Sequence, residues 1–205
     1  MPTILLLAAG SSSRLGRPKQ LLRFQGNTLL RRAAETSVMA AAGLPVVVVT
    51  GALHQELLPE LAGLPVTTVH CPAWAEGMGA SMKCGLAELE KLQPAWTEVL
   101  VLLCDQPHVT PDLLKQFSVV RAATGLPIAA SQYSSTTGVP ALFGREALPL
   151  LLQLPNAAGA GQLLKHRPDL VATVPFPAGV IDVDTEAQYA ELLAIPAPVA
   201  SPGNE

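Results

Sequence analysis

Short, mainly apolar runs recur along the chain at residues 4–8, 45–49, 66–69, 99–103, 128–130 and 170–174. Runs of this length without strict alternation read as strands buried on both faces. Between the first four lie segments whose apolar residues have helical spacing. Thr28 is a candidate cap for a helix whose Leu29, Leu30, Ala33, Ala34 and Ser37 share one face before Gly43 ends it. Residues 53–61 form a shorter second helix. A third runs over 78–92, with Met82, Leu86 and Leu89 on one buried face. Thr110 followed by Pro111 and Asp112 is a cap with proline in the first turn, opening a fourth helix through Val120. Strand then helix, four times over, predicts an α/β fold with a mainly parallel sheet and right-handed crossovers. Ligands of such sheets bind beyond the carboxyl ends of the strands.

After Pro127 the alternation weakens. The stretch "TGVPALFG" reads as an extra strand leading into a helix over 145–152. Insertions in this half are expected to shape an acceptor site. No repeat of fixed period occurs. Residues 1–194 read as one domain, and the tail "IPAPVASPGNE", residues 195–205, is expected to be disordered.

Composition narrows the class. The chain has 205 residues, 49% of them hydrophobic, enough for one α/β domain with a sizeable core. A formal charge of -3 leaves no broad basic field to neutralise a nucleic-acid backbone, and 4% aromatic residues provide no stacking platform. Nucleic acid is therefore not an expected partner. Cys71, Cys84 and Cys104 are odd in number and form no CxxC pair, so they read as free thiols in a reducing compartment. The opening apolar run has no cationic segment before it, and no stretch reaches membrane-spanning length without a charge or a proline. A cytoplasmic protein without membrane contact is expected.

The candidate chemistry begins at "ILLLAAGSSSRLGRPKQLL". Residues 10–19 follow a buried strand and are rich in Gly and Ser, so their backbone N–H groups can approach an anion closely. The pattern is neither a Walker loop nor the dinucleotide GxGxxG. A plain solvated connection has the same composition. Position at the end of a buried strand favours phosphate binding, with Arg14 and Lys19 supplying fixed positive charge.

That stretch resembles the signature of the nucleotidyltransferases that share the molybdenum cofactor guanylyl- and cytidylyltransferase fold. Its AAG beginning is most similar to the cytidylyltransferase branch. "CPAWAEGMGASMKCGL" resembles the segment after the family's third strand, with Trp74, Gly77, Gly79, Ser81 and Gly85 at matching places. "VLLCDQPHVTPDLL" resembles the segment holding its metal-binding aspartate, and "VIDVDTEAQYAEL" the closing turn and helix that return a second acid. The resemblance spans residues 4–193. It implies a three-layer Rossmann-like fold and nucleotidyl transfer, in which an acceptor phosphate attacks the α-phosphorus of a nucleoside triphosphate and pyrophosphate leaves. CTP is the favoured donor, molybdopterin the expected acceptor and a molybdoenzyme a further partner.

Asp105 ends the run "VLVLLC", at the sheet edge where ligands bind; a cap or turn role before Pro107 is the alternative. Asp182 and Asp184 lie two apart, so both point to one face of an extended segment, and Asp184 could also cap the next helix. The resemblance favours Asp184 over Asp182 as the partner of Asp105 around one Mg²⁺, an ion suited to a few hard oxygen ligands. Arg14, Lys19 and Asp105 are the catalytic candidates. With the resemblance, Leu7, Ala8, Ala9, Gly10, Ser12, Gly51, Gly77, Gly79 and Ser81 complete the nucleotide site, the 77–81 turn reading the base; the residues alone allow Gly77 and Gly79 simply to end one element and start the next, and Gly51 to sit in a plain turn. The four histidines are scattered and receive no role.

The acceptor half departs from the family. Where a Gly-His-Pro triplet is typical, this chain has Gly138, Val139 and Pro140. The Gly-Asp-x-Gly-Ala-Arg run is replaced by "NAAGAGQLL", with Ala158 and Gln162 near the places of the acid and the arginine. Polar groups that would orient a charged acceptor are thus removed. Two other readings remain open: transfer to a sugar or alditol phosphate, and a non-catalytic protein that holds nucleotide or cofactor for a partner enzyme.

Overall fold

Strand β1 (Thr3–Ala8) has no exposed residue, as a strand covered on both faces requires. In the computed structural model, which describes residues 1–12 and 15–194, β1 lies inside a seven-stranded sheet. A two-stranded ribbon, β2 (Arg23–Phe24) and β3 (Asn27–Thr28), follows it. Then come α1 (Leu29–Ala41), β4 (Val46–Thr50), α2 (His54–Leu61), β5 (Thr67–His70), α3 (Met78–Leu92), β6 (Glu98–Leu103) and α4 (Pro111–Thr124). The caps fall where the sequence places them. Thr28 and Thr110 accept hydrogen bonds from the backbone N–H groups of Arg31 and Leu113, each at 3.2 Å.

The second half adds β7 (Ile128–Tyr133), β8 (Thr136–Gly144), α5 (Leu148–Gln153), α6 (Ala160–His166), β9 (Val171–Pro175) and α7 (Glu186–Leu193). The strand order is β5-β4-β1-β6-β8-β7-β9. Every pairing is parallel except those of β8, which runs antiparallel to β6 and β7. The expected strand at 128–130 is twice that length because it forms a hairpin with β8. The helix expected over 145–152 begins as a 3-10 turn, Arg145–Ala147, before α5. Helix α6 and the β2–β3 ribbon have no counterpart in the sequence reading.

Side-chain alternation along the central strands feeds two cores. Leu5, Leu7, Val47 and Val49 face Met82, Leu86 and Leu89 of α3. Ile4, Leu6, Val46 and Val48 face Leu30 of α1, Leu57 of α2 and Phe117 of α4. The result is the expected three-layer α/β/α sandwich. Each fully buried side chain of this size contributes roughly 1.5–3 kcal/mol. A third cluster, Leu15, Leu22, Phe24, Leu29, Val183 and Leu192, fastens the segment leading into α7 and α7 itself to the ribbon. It thereby brings residues 182–184 back beside the loop after β1. Among the described residues no helix is long and apolar enough to cross a membrane. The tail, residues 195–205, lies outside the described residues.

Candidate active site

The carboxyl ends of β1 and β6 open onto a cleft of about 270 Å³. Leu7, Ala8, Ala9, Gly10, Lys19, Gly77, Ser81 and Asp105 line it, joined by Trp74, Gln20 and Cys104. The loop after β1 is held from beneath by Gln20, which is 1% exposed. Its side-chain NH₂ donates to the carbonyls of Ala8 at 3.1 Å and Gly10 at 2.6 Å. Ser12 Oγ donates to Gln20 Oε1 at 3.1 Å and accepts from the Lys19 backbone N–H at 3.0 Å. Ser12 thus positions Lys19. Arg14 lies outside the described residues.

Lys19 Nζ lies 2.5 Å from Asp105 Oδ2 and 2.8 Å from Asp184 Oδ1. Burial would lower the ammonium's pKa, but the charge of Asp105 and the hydrogen bonds to Asp105 and Asp184 outweigh it and hold the group above the ordinary lysine value. Two acids 79 positions apart in sequence therefore converge on one cationic nitrogen. Thr185 Oγ1 accepts from the Gln188 backbone N–H and caps α7, so capping does not engage Asp184. Arg17 reinforces the closure with paired contacts of 2.6 and 2.7 Å to Glu186 and by lying over the Tyr189 ring.

Asp182 faces elsewhere. Its carboxylate accepts from Gln188 Nε2 at 3.1 Å and lines a second cavity. Burial, then the charges of Asp184 and Asp105, raise its pKa. Of the two acids in "IDVDT", Asp184 is the one on Lys19.

The glycines divide into lining and supporting roles. Gly77 has φ 128°, a conformation that side chains rarely adopt, and joins the 3-10 turn Trp74–Glu76 to α3. Gly79 packs against the carbonyls of Pro155, Ala158 and Asn156. Gly51 sits behind Trp74, where a Cβ would stand 2.5 Å from the Ala9 carbonyl oxygen and 2.6 Å from Trp74 Cβ. Neither is among the residues lining the cleft; both set its walls. Cys104 does line it, and burial followed by the Asp105 charge pushes its pKa up to about 12, so it is a neutral thiol. Sequence reasoning missed Gln20, although a lone amide between Lys19 and the apolar pair Leu21–Leu22 is the available signal.

The second oxygen of Asp105, Oδ1, is buried without a hydrogen-bond partner. An unpaired carboxylate oxygen beside a second acid fits a hard divalent cation. Among the described residues no three His, Cys, Asp or Glu side chains converge as a cage, so such an ion would need water or phosphate oxygens as further ligands.

Nicotine blue oxidoreductase of Paenarthrobacter nicotinovorans is 32% identical over 93% of this chain and 96% of its own. Molybdenum cofactor cytidylyltransferase of Escherichia coli K12 is 25% identical over 90% of this chain and 92% of its own. The crystal structure of Rv0371c from Mycobacterium tuberculosis H37Rv matches with a TM-score of 0.73 at 29% identity, covering 93% of this chain and 96% of that one. A further structure of that protein is a complex with manganese. The model of the MobA-like NTP transferase domain matches residues 4–171. This chain belongs to the MobA-like NTP transferase family and is a nucleotidyltransferase of that kind.

Proposed function

We propose that the protein transfers a cytidylyl group from CTP to a small phosphorylated acceptor, molybdopterin first among them, with Mg²⁺ and with release of pyrophosphate. The observation that carries this reading is the convergence of Asp105 and Asp184 on Lys19 at the mouth of the cleft.

A phosphate acceptor is already an anion, so the chain needs no strong general base; its work is positioning and charge neutralisation. Gly10 and Ser12 belong to the loop that receives the triphosphate, with Gln20 fixing that loop. Lys19, and Arg14 from the same loop, offset charge on the departing pyrophosphate. Leu7, Ala8, Ala9 and the 77–81 turn bound the base, with Gly51 and Gly79 behind them. Asp105 and Asp184 are the residues that would hold Mg²⁺, which supplies charge neutralisation at the reacting phosphate. Asp182 is the weaker candidate ligand because its carboxylate lines the other cavity.

The test follows pyrophosphate with CTP, GTP and ATP, each against molybdopterin and against sugar and alditol phosphates, with Mg²⁺ present. Release with CTP and molybdopterin, lost in Asp105→Ala, is the expected result. Release only with a sugar or alditol phosphate would replace the acceptor. Nucleotide binding without turnover for any acceptor, unaffected by Asp105→Ala, would point to a non-catalytic holder.

A second reading is favoured by the 32% identity to a relative named an oxidoreductase, across nearly its whole length. Reduction of nicotine blue by an added electron donor, dependent on the protein and without pyrophosphate release, would favour it.

A further inference from the structure

The first turn of α3 lines the cleft through Gly77, Met78 and Ser81, and its other side packs against the loop between α5 and α6. Gly77 offers the helix no side-chain cap. The Asn156 carbonyl takes that place, accepting at 3.2 Å from the backbone N–H of Ala80, one of the donors that a helix start leaves unpaired. A Cβ on Gly77 would stand 2.6 Å from both this carbonyl oxygen and Ala157 Cα, and one on Gly159 would stand 2.7 Å from Met78 Sδ. The Asn156 side chain adds a second hold. Its NH₂ donates to Glu76 Oε2 at 2.6 Å, and its Oδ1 accepts from Lys83 Nζ at 2.9 Å. Glu76 precedes the turn and Lys83 follows it, so one amide spans residues 76–83. Partners of opposite charge fix which way that amide points.

Asn156 opens the stretch "NAAGAGQLL", which stands where the family has its Gly-Asp-x-Gly-Ala-Arg run. A segment without that acid and arginine thus carries an amide that contacts the nucleotide-side turn. Backbone groups of a turn can discriminate between base edges only while they hold one position, because hydrogen bonds weaken steeply with distance and angle. We propose that Asn156 is a positioning residue for nucleotide selection: it braces the 77–81 turn, and the preference of the cleft for one base over another depends on that brace. The proposal rests on the reading of this turn as the base pocket, and not on which base is bound.

The experiment measures calorimetric dissociation constants of CTP and of GTP, each with Mg²⁺, for the full chain, together with amide hydrogen exchange across residues 76–83. Asn156→Asp sets a second carboxylate against Glu76. It should narrow the wild type's preference between the two nucleotides about three- to tenfold, the range for charge-assisted hydrogen bonds that water partly reaches, and speed exchange across the turn. Adding Glu76→Gln offers an amide N–H to the new carboxylate and should restore both the preference and the exchange rate. A loop change that merely loosened the fold would not be repaired by that partner. A wild type that binds the two nucleotides equally, an unaltered preference in Asn156→Asp, or a double variant no better than the single one would overturn the proposal. A wild-type preference for GTP that Asn156→Asp narrows supports the brace and counts against the cytidylyl reading alone.

Discussion

Replacing Lys19 by alanine removes a cationic nitrogen that Asp105 and Asp184 share among the described residues. The two contacts of 2.5 and 2.8 Å bound the separation of those oxygens at their sum. Two unit negative charges about 5 Å apart repel by about 3 kcal/mol at an effective dielectric near 20. Exposure of the side chains, 9% for Asp105 and 21% for Asp184, admits some screening, so about 1–3 kcal/mol of destabilisation is expected. For a domain of this size that corresponds to a fall of about 2–12 °C in Tm. Millimolar Mg²⁺ should restore more of the Tm in Lys19→Ala than it adds to the wild type, since the variant's carboxylates lack the ammonium. Affinity for CTP should drop about 10- to 100-fold, the range for a lost charge-assisted hydrogen bond. Differential scanning fluorimetry with and without Mg²⁺, followed by calorimetric CTP titration, reads all three effects. An unchanged Tm together with unchanged CTP affinity would refute the reasoning.

Other consequences follow from neighbouring contacts. Gln20→Ala strands the carbonyls of Ala8 and Gly10 and should cost about 1–3 kcal/mol in urea denaturation, with weaker CTP binding as the loop loosens. Gly51→Ala drives a methyl group into the Ala9 carbonyl and Trp74; a loss of about 1–3 kcal/mol is expected, with a change in Trp74 fluorescence as the cleft wall shifts. Hydrogen bonds from Arg145 hold the Glu90 carboxyl below its ordinary 4.5; burial opposes this, while Trp96 and the Arg145 charge reinforce it. A lowered carboxyl pKa stabilises the fold above the unfolded value and loses that contribution as pH falls through the folded one. Glu90→Gln should therefore flatten the acid limb of a Tm profile, as pH falls below the ordinary carboxylate range, compared with the wild type.

The parts of the fold that were legible in the sequence are those whose signal is local. The runs that became β1, β4 and β6 are buried on both faces, and Thr28 and Thr110 carry their caps beside them. The β7–β8 hairpin was harder because Gly138 and Pro140 interrupt its second strand, and long-range pairing to β6 holds β8 in the sheet. Helix α6 buries only Ala160, Leu163 and Leu164, too few for a periodic stripe. At the site, the resemblance pointed to Asp105 and Lys19 and favoured Asp184 over Asp182, but spacing and composition within "IDVDT" do not distinguish the two acids. That distinction is tertiary, set by α7 docking on the ribbon and by Gln188 engaging Asp182. The supporting positions of Gly51 and Gly79 are likewise decided by the segments that cross them, Trp74 and residues 155–158.

The central claim is that Asp105 and Asp184 together hold one divalent cation beside the triphosphate. Titration of Mn²⁺ in the presence of CTP, followed by electron paramagnetic resonance, addresses it directly. One tight site in the wild type, weakened in both Asp105→Asn and Asp184→Asn but retained in Asp182→Asn, is the predicted result. Equal Mn²⁺ binding in the wild type, Asp105→Asn and Asp184→Asn would contradict the account.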